Sequence, residues 1–212
     1  MEKHKVFISY HHDNDQWAKE KLLTINKRFG LFIDMSVGTG DIDEDLPSQE
    51  IREEIRDNYL KDTSVLILLV GSETKNRKHI DWEIYSSMYN GKVNKQSGIL
   101  VITLPESGMN RTHAGHGSEE KEKIHTDISS WVNATESYGE VFANMPARIL
   151  ANLRNPEAYI SVIPWDKIVD NPAKLYALID CAFHDRAKNK YDLSLPMTVS
   201  YTHLTLPTIY SV

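Results

Sequence analysis

Only one cysteine, Cys181, occurs in the 212 residues. That excludes an intrachain disulfide and any zinc cluster built on thiolates, and a reducing cytosol is the setting that fits. Basic residues are in deficit as well, with Lys plus Arg at 24 against 30 for Asp plus Glu and a formal charge of −6. Proteins that work on the nucleic-acid backbone need the opposite balance, so no nucleic-acid partner is expected. Long apolar runs are missing too. The longest, "VLILLVG", has the length of a buried strand rather than a bilayer span, so no membrane partner is expected. The opening "MEKHKVFISY" lacks the charged and apolar regions of a secretory signal, and a cytoplasmic protein is expected.

What is present alternates between strand-like and helix-like patterns. "KVFISY" (5–10) reads as a first strand, and Ala18, Leu22, Ile25 and Phe29 mark the buried face of a helix stopped by Gly30. "LFID" (31–34) is a second strand, followed by the acidic loop "MSVGTGDIDEDLPS" and a helix marked by Ile51 and Ile55. "SVLILLV" (64–70) is apolar at every position, as a central parallel strand covered on both faces must be. A helix with Ile80, Ile84 and Met88 on its buried face follows, then "GILVITL" (98–104) and "YISVIPW" (159–165) as strands four and five. Asn171 and Pro172 open a last helix carrying Leu175, Ile179 and Ala182. The alternation predicts an α/β, three-layer, flavodoxin-like fold with a five-stranded parallel sheet in order 2-1-3-4-5. Residues 105–146 break the rhythm and read as an insertion with some helix near its end.

Ligands of open parallel sheets bind beyond the carboxyl ends of the strands, where the strand order reverses. Here that point lies between strands 1 and 3. Strand 1 ends in Ser9, Tyr10, His11 and His12, and strand 3 ends in Gly71 and Ser72 before the helix that carries His79, Trp82 and Glu83. Asp34 and Ser36 stand at the mouth of the same cleft, beside the acidic loop, which reads as a mobile flap. Two readings stand for Trp82, core packing and ligand contact, and two for His11 and His12, solvated turn and cleft wall. Gly38 and Gly40 lack the Lys and spacing of a phosphate-binding P-loop. His113 and His116 in "HAGHG" lack neighbouring carboxylates or cysteines in a set pattern, so a polar loop is expected there and no metal.

At these two segments the chain resembles a known family. "KVFISYHHDND" is similar to the opening strand of TIR domains, and "TSVLILLVGSETKNRKHIDWEI" resembles the third strand and following helix of the TIR-like (ThsB-type) subunit of the bacterial Thoeris anti-phage system. The likeness runs over about residues 4–104 and loosely over "YISVIPWDKIVDNPAKLYALID". It implies one TIR-like domain over residues 1–190, with the 105–146 insertion and 191–198 as the end of the natural chain. In enzymatic TIR domains that helix carries a Glu needed to cleave NAD+, and the matching position is Glu83. The family's Trp, four residues before the Glu, is replaced here by His79, with Trp82 the nearest aromatic counterpart.

The resemblance thus implies an NAD+ nucleosidase or ADP-ribosyl cyclase-like hydrolase. Glu83 would be catalytic, and Ser9, Tyr10, His11, Asp34, Ser36, Gly71, Ser72, His79 and Trp82 would bind substrate. NAD+ is the substrate and no separate cofactor is implied. A downstream effector, acting through an ADP-ribose-derived cyclic signal, and self-assembly of the chain are the further expected partners. Two alternatives stay open: a non-catalytic TIR-like scaffold, and a nucleotide-binding signalling module of flavodoxin type.

The last residues, "VSYTHLTLPTIYSV" (199–212), carry no Asp, Glu, Lys or Arg. Residues 199–208 match, codon by codon, the translation of a transposase-type sequencing adapter, GTC TCT TAT ACA CAT CTG ACG CTG CCG ACG. The tail is therefore expected to be non-native and the natural C-terminus to be missing.

Overall fold

The computed structural model of the chain describes residues 2–36, 60–92, 94–132 and 137–197. Most of the acidic loop, the helix expected around Ile51 and Ile55, and the 199–212 tail lie outside them. Five strands form one parallel sheet: β1 (His4–Ser9), β2 (Phe32–Asp34), β3 (Val65–Val70), β4 (Gly98–Thr103) and β5 (Ile160–Pro164). Their order is β2-β1-β3-β4-β5, and every pairing is parallel. This is the flavodoxin-like order expected from the alternation.

Successive side chains along a strand face opposite sides of a sheet. Val6, Ile8, Val65, Ile67, Leu69, Leu100, Ile102 and Ile163 therefore build one core, against α1 (His12–Phe29) and α6 (Pro172–Asp185). Phe7, Leu66, Leu68, Val70, Ile99, Val101 and Val162 build the other, against α2 (Lys78–Met88) and α5 (Ala147–Leu153). β3 is buried at every residue, as its all-apolar sequence requires. Among the described residues, no helix is long and apolar enough to cross a membrane.

Both long helices have side-chain caps. His11 accepts from the Asn14 N–H at the start of α1, and Asn171 accepts from the Lys174 N–H at the start of α6. Gly30 ends α1 in the left-handed region, φ 64°, and donates its N–H to Asn26. One expectation fails within α1: Phe29 is 47% exposed, whereas Ala18, Leu22 and Ile25 are buried. The 18-residue helix is about 27 Å long, whereas a six-residue strand such as β1 spans about 20 Å, so its last turn overhangs the sheet. Phe29 has no strand beneath it.

The insertion contains α3 (Ser118–Lys123) and α4 (Tyr138–Val141), and it is packed rather than appended. Met109, Phe142 and Met145 enter the second core, and His113 bridges to Val162 of β5. Residues 191–197 lie along the same side. Tyr191 donates its hydroxyl to Ser97 O, Asn152 exchanges hydrogen bonds with both backbone groups of Asp192, and Met197 is buried.

One buried arginine ties these parts together. Arg148 of α5 makes a two-pronged ion pair with Asp81 of α2, through Nε at 2.8 Å and Nη2 at 3.0 Å. The same guanidinium donates to Leu195 O and Pro196 O. Removing one partner of a buried ion pair strands the other charge, which costs roughly 3–5 kcal/mol. Arg148→Ala should therefore lower the urea unfolding free energy by about 3 kcal/mol or more, and a loss below about 1 kcal/mol would contradict the buried geometry.

Candidate active site

β1 ends at Ser9, which shares the facing of Phe7 and so points toward α2 rather than α1. There its hydroxyl donates to Glu83 Oε2 at 2.6 Å. Glu83 stands on the second turn of α2 and is 9% exposed. Burial pushes its carboxyl up to about 7, against the opposing pull of the Ser9 hydrogen bond and the charge of Lys19. A carboxyl that changes charge near neutrality has thus been placed where the strand order reverses.

Tyr10 faces the other way, toward α1. It donates its hydroxyl to Gln16 Oε1 at 2.7 Å and receives Lys19 Nζ at 3.4 Å, and Lys19 Nζ also lies 4.9 Å from its ring centroid. The His12 ring stacks on Tyr10 with centroids 4.5 Å apart. Burial lowers the His12 pKa first, and the positive charge of Lys19 lowers it further. His11 is no solvated turn residue. It is buried, its Nδ1 caps α1, and its Nε2 has no hydrogen-bond partner among the described residues.

A second carboxylate lies behind these groups. Asp15 is 3% exposed and accepts from Thr74 Oγ1 at 3.4 Å, and Thr74 in turn accepts from the Gly71 N–H at 2.8 Å. A Cβ on Gly71 would lie 2.5 Å from Asp15 Oδ1, so glycine is what lets β3 meet the first turn of α1. Burial raises the Asp15 pKa as well.

The remaining expected residues are spread around this centre. Ser72 is half-buried in the turn after Gly71. Asp34 accepts from the Ser36 N–H at 2.9 Å, and Ser36 Oγ accepts from the Ile8 N–H at 2.9 Å, so both brace the end of β2 against β1. His79 is exposed, with its ring 5.0 Å from that of Trp82 and nearly perpendicular to it. Trp82 is 2% exposed and sits in the second core, with Lys78 Nζ 5.6 Å from its ring. Gly38 and Gly40 lie outside the described residues.

Sequence reasoning missed Asp15, Thr74 and Lys19. Asp15 did leave a signal, because it extends the buried stripe of Ala18, Leu22 and Ile25 by one turn toward the N-terminus. An acid in an apolar stripe marks a buried polar group. Lys19 left none. The segment at His113 and His116 is a loop, as expected, and its histidines have polar partners elsewhere in the chain. His116 Nδ1 lies 2.7 Å from Asp185 Oδ2, and His113 Nδ1 lies 3.1 Å from the Tyr138 hydroxyl.

Residues 7–108 match a family model described as Thoeris protein ThsB, TIR-like domain. The match spans nearly half of the chain, from within β1 to just past β4, and so takes in Ser9, Gly71 and Glu83. No curated protein matches the chain.

The pKa of Glu83 gives a test of its burial. Its folded value of about 7 exceeds the ordinary 4.5, so the folded state binds the proton more tightly than the unfolded chain does. The contribution is fully present below about pH 4.5 and is lost as pH rises through about 7. Glu83→Gln, which has no charge to bury, should match the parent in acid and exceed its stability above neutrality by on the order of 3 kcal/mol. Urea melts of both proteins across this range decide it. A stability difference that does not change with pH would show that the carboxyl is solvated.

Proposed function

We propose, from the premise that residues 7–108 are a TIR-like domain of the Thoeris ThsB type, that the chain cleaves NAD+ at the nicotinamide–ribose bond. The Thoeris anti-phage role of the domain family is the setting. The observation that carries the reading is the buried Glu83 carboxyl, hydrogen-bonded to Ser9 at the β1/β3 reversal and poised near neutrality.

The chemistry asks little more of the protein. When the bond between the ribose C1′ and the nicotinamide nitrogen breaks, its electron pair passes to the cationic ring. Nicotinamide leaves neutral, and no strong general acid is needed. The ribose is left as an oxocarbenium-like cation. The ionised Glu83 stabilises that charge, and a preorganised group of this kind contributes on the order of a hundredfold or more in rate. Water then adds at C1′ and gives up a proton to yield ADP-ribose, or an internal nucleophile of ADP-ribose adds and closes a ring. The cyclic product is the reading adopted here, as a signal for a downstream effector. Ser9 fixes the carboxylate, and Lys19, Tyr10, His11, Ser72 and His79 supply polar groups around the cleft for the ribose and phosphates. Asp34 and Ser36 hold the β2 side of its mouth.

Incubation with NAD+ should release nicotinamide, and a folded Glu83→Gln protein should do so at least about a hundredfold more slowly. The parent's rate should rise with pH on a limb centred near 7, because only the ionised form acts. Full activity in the Gln variant would remove Glu83 from the reaction. Absence of nicotinamide release from the parent, with and without extract of phage-infected cells, would leave a non-catalytic TIR-like scaffold as the function.

Self-assembly belongs to the same proposal, with a neighbouring copy completing the mouth of the cleft. Specific activity should then rise with protein concentration, and a dilution series followed with light scattering measures it. Constant activity from a monomer would mean that each cleft works alone.

A further inference from the structure

The end of the sheet opposite the cleft carries a second group of chemically capable side chains. His4 opens β1, and Asp180 and His184 lie one turn apart on α6. Residues four apart on a helix share a face, and this face meets the start of β1. His4 Nε2 lies 2.8 Å from Asp180 Oδ1, and His184 Nδ1 lies 3.5 Å from Asp180 Oδ2. One ligand atom from each of the three residues fits within 4.8 Å of the others.

We propose that His4, Asp180 and His184 form a binding site for a divalent first-row cation, with Zn2+ as its best-suited occupant. Two imidazoles and one carboxylate are a ligand set that Zn2+ takes, with water in the fourth position. In such a tetrahedral site the bonds of about 2.0–2.2 Å set ligand atoms roughly 3.3–3.5 Å apart. The His184–Asp180 pair already has that spacing.

The site is preorganised on one side and adaptable on the other. The His4 side chain is 1% exposed, and its ring stacks on Phe183 with centroids 3.8 Å apart, so its direction is fixed. The His184 side chain is 61% exposed. It turns from the Asp180 carbonyl oxygen, 2.9 Å away, to meet the ion. On binding, the ion takes the place of the proton between His4 Nε2 and Asp180 Oδ1, and the neutral imidazole carries its ring proton on Nδ1. The last turn of α6 favours a cation further, because the macrodipole is negative there. Bound metal clamps the start of β1 to the C-terminal part of α6. The site lies at the opposite end of β1 from Ser9 and Glu83, and binding there is independent of the reaction at Glu83.

The test uses the full chain, stripped with chelator, dialysed and titrated with Zn2+ by calorimetry at neutral pH. Co2+ added in place of Zn2+ reports tetrahedral coordination by its visible absorption. The expected result is one bound ion per chain, with a rise in Tm on adding Zn2+. His184→Ala, a change at an exposed position, should weaken that binding by at least about tenfold and abolish both the Co2+ band and the Tm shift. Asp180→Asn should weaken it likewise. No binding by the parent, or binding and Co2+ spectrum unchanged in His184→Ala, would overturn the proposal and leave a simple His4–Asp180 hydrogen bond.

Discussion

The hydrogen bond between Ser9 and Glu83 exists because two independent constraints agree. Strand alternation decides that Ser9 faces α2: β1 must put Val6 and Ile8 into one core and Phe7 into the other, and Ser9 inherits the facing of Phe7. Helix periodicity decides that Glu83 faces the sheet: Ile80, Ile84 and Met88 must be buried, and Glu83 lies on the same side. Two hydrophobic patterns thus aim a hydroxyl and a carboxyl at each other across the β1–β3 boundary. The site is held in register by the cores on which it rests, and slipping either element by one residue would separate the pair.

That dependence explains how much was legible in advance. Strand order and the cleft followed from the alternation, since β3 is apolar throughout and β1, α1 and α2 are patterned. The opposed facings of Ser9 and Tyr10 were implicit in the same period of two. Long-range polar contacts were not legible. The Arg148–Asp81 pair joins residues 67 apart, and the strand-to-insertion contact of His113 with Val162 spans nearly fifty positions. No local period records such a pairing. The polar loop of His113 and His116 was legible, but its partners Tyr138 and Asp185 were not, because they are remote in sequence.

Arg148 gives the second layer of support. Asp81 precedes Glu83 by two residues on α2, so the ion pair that ties α5 and residues 195–196 to that helix also fixes the turn that carries the carboxyl. The region after β4 is thereby tied to the helix that carries Glu83. The family match ends at residue 108, so Asp81 lies within it and Arg148 beyond it, and the ion pair joins the matched part of the chain to the part that follows.

Asp15 and Glu83 show how environment separates two carboxyls in one cleft. Burial raises the pKa of both. Asp15 packs against Thr74 and Gly71, where a Cβ on Gly71 would collide with its carboxylate. Glu83 has one hydroxyl partner and a nearby cation, Lys19, that draws it toward ionisation. Burial and the same cation both lower the pKa of His12, so burial favours the neutral form of each group and Lys19 opposes it only at Glu83. Asp15 therefore shapes the wall between β3 and α1, whereas Glu83 stands at the β1/β3 reversal and is the carboxyl to which the proposed function assigns the reaction.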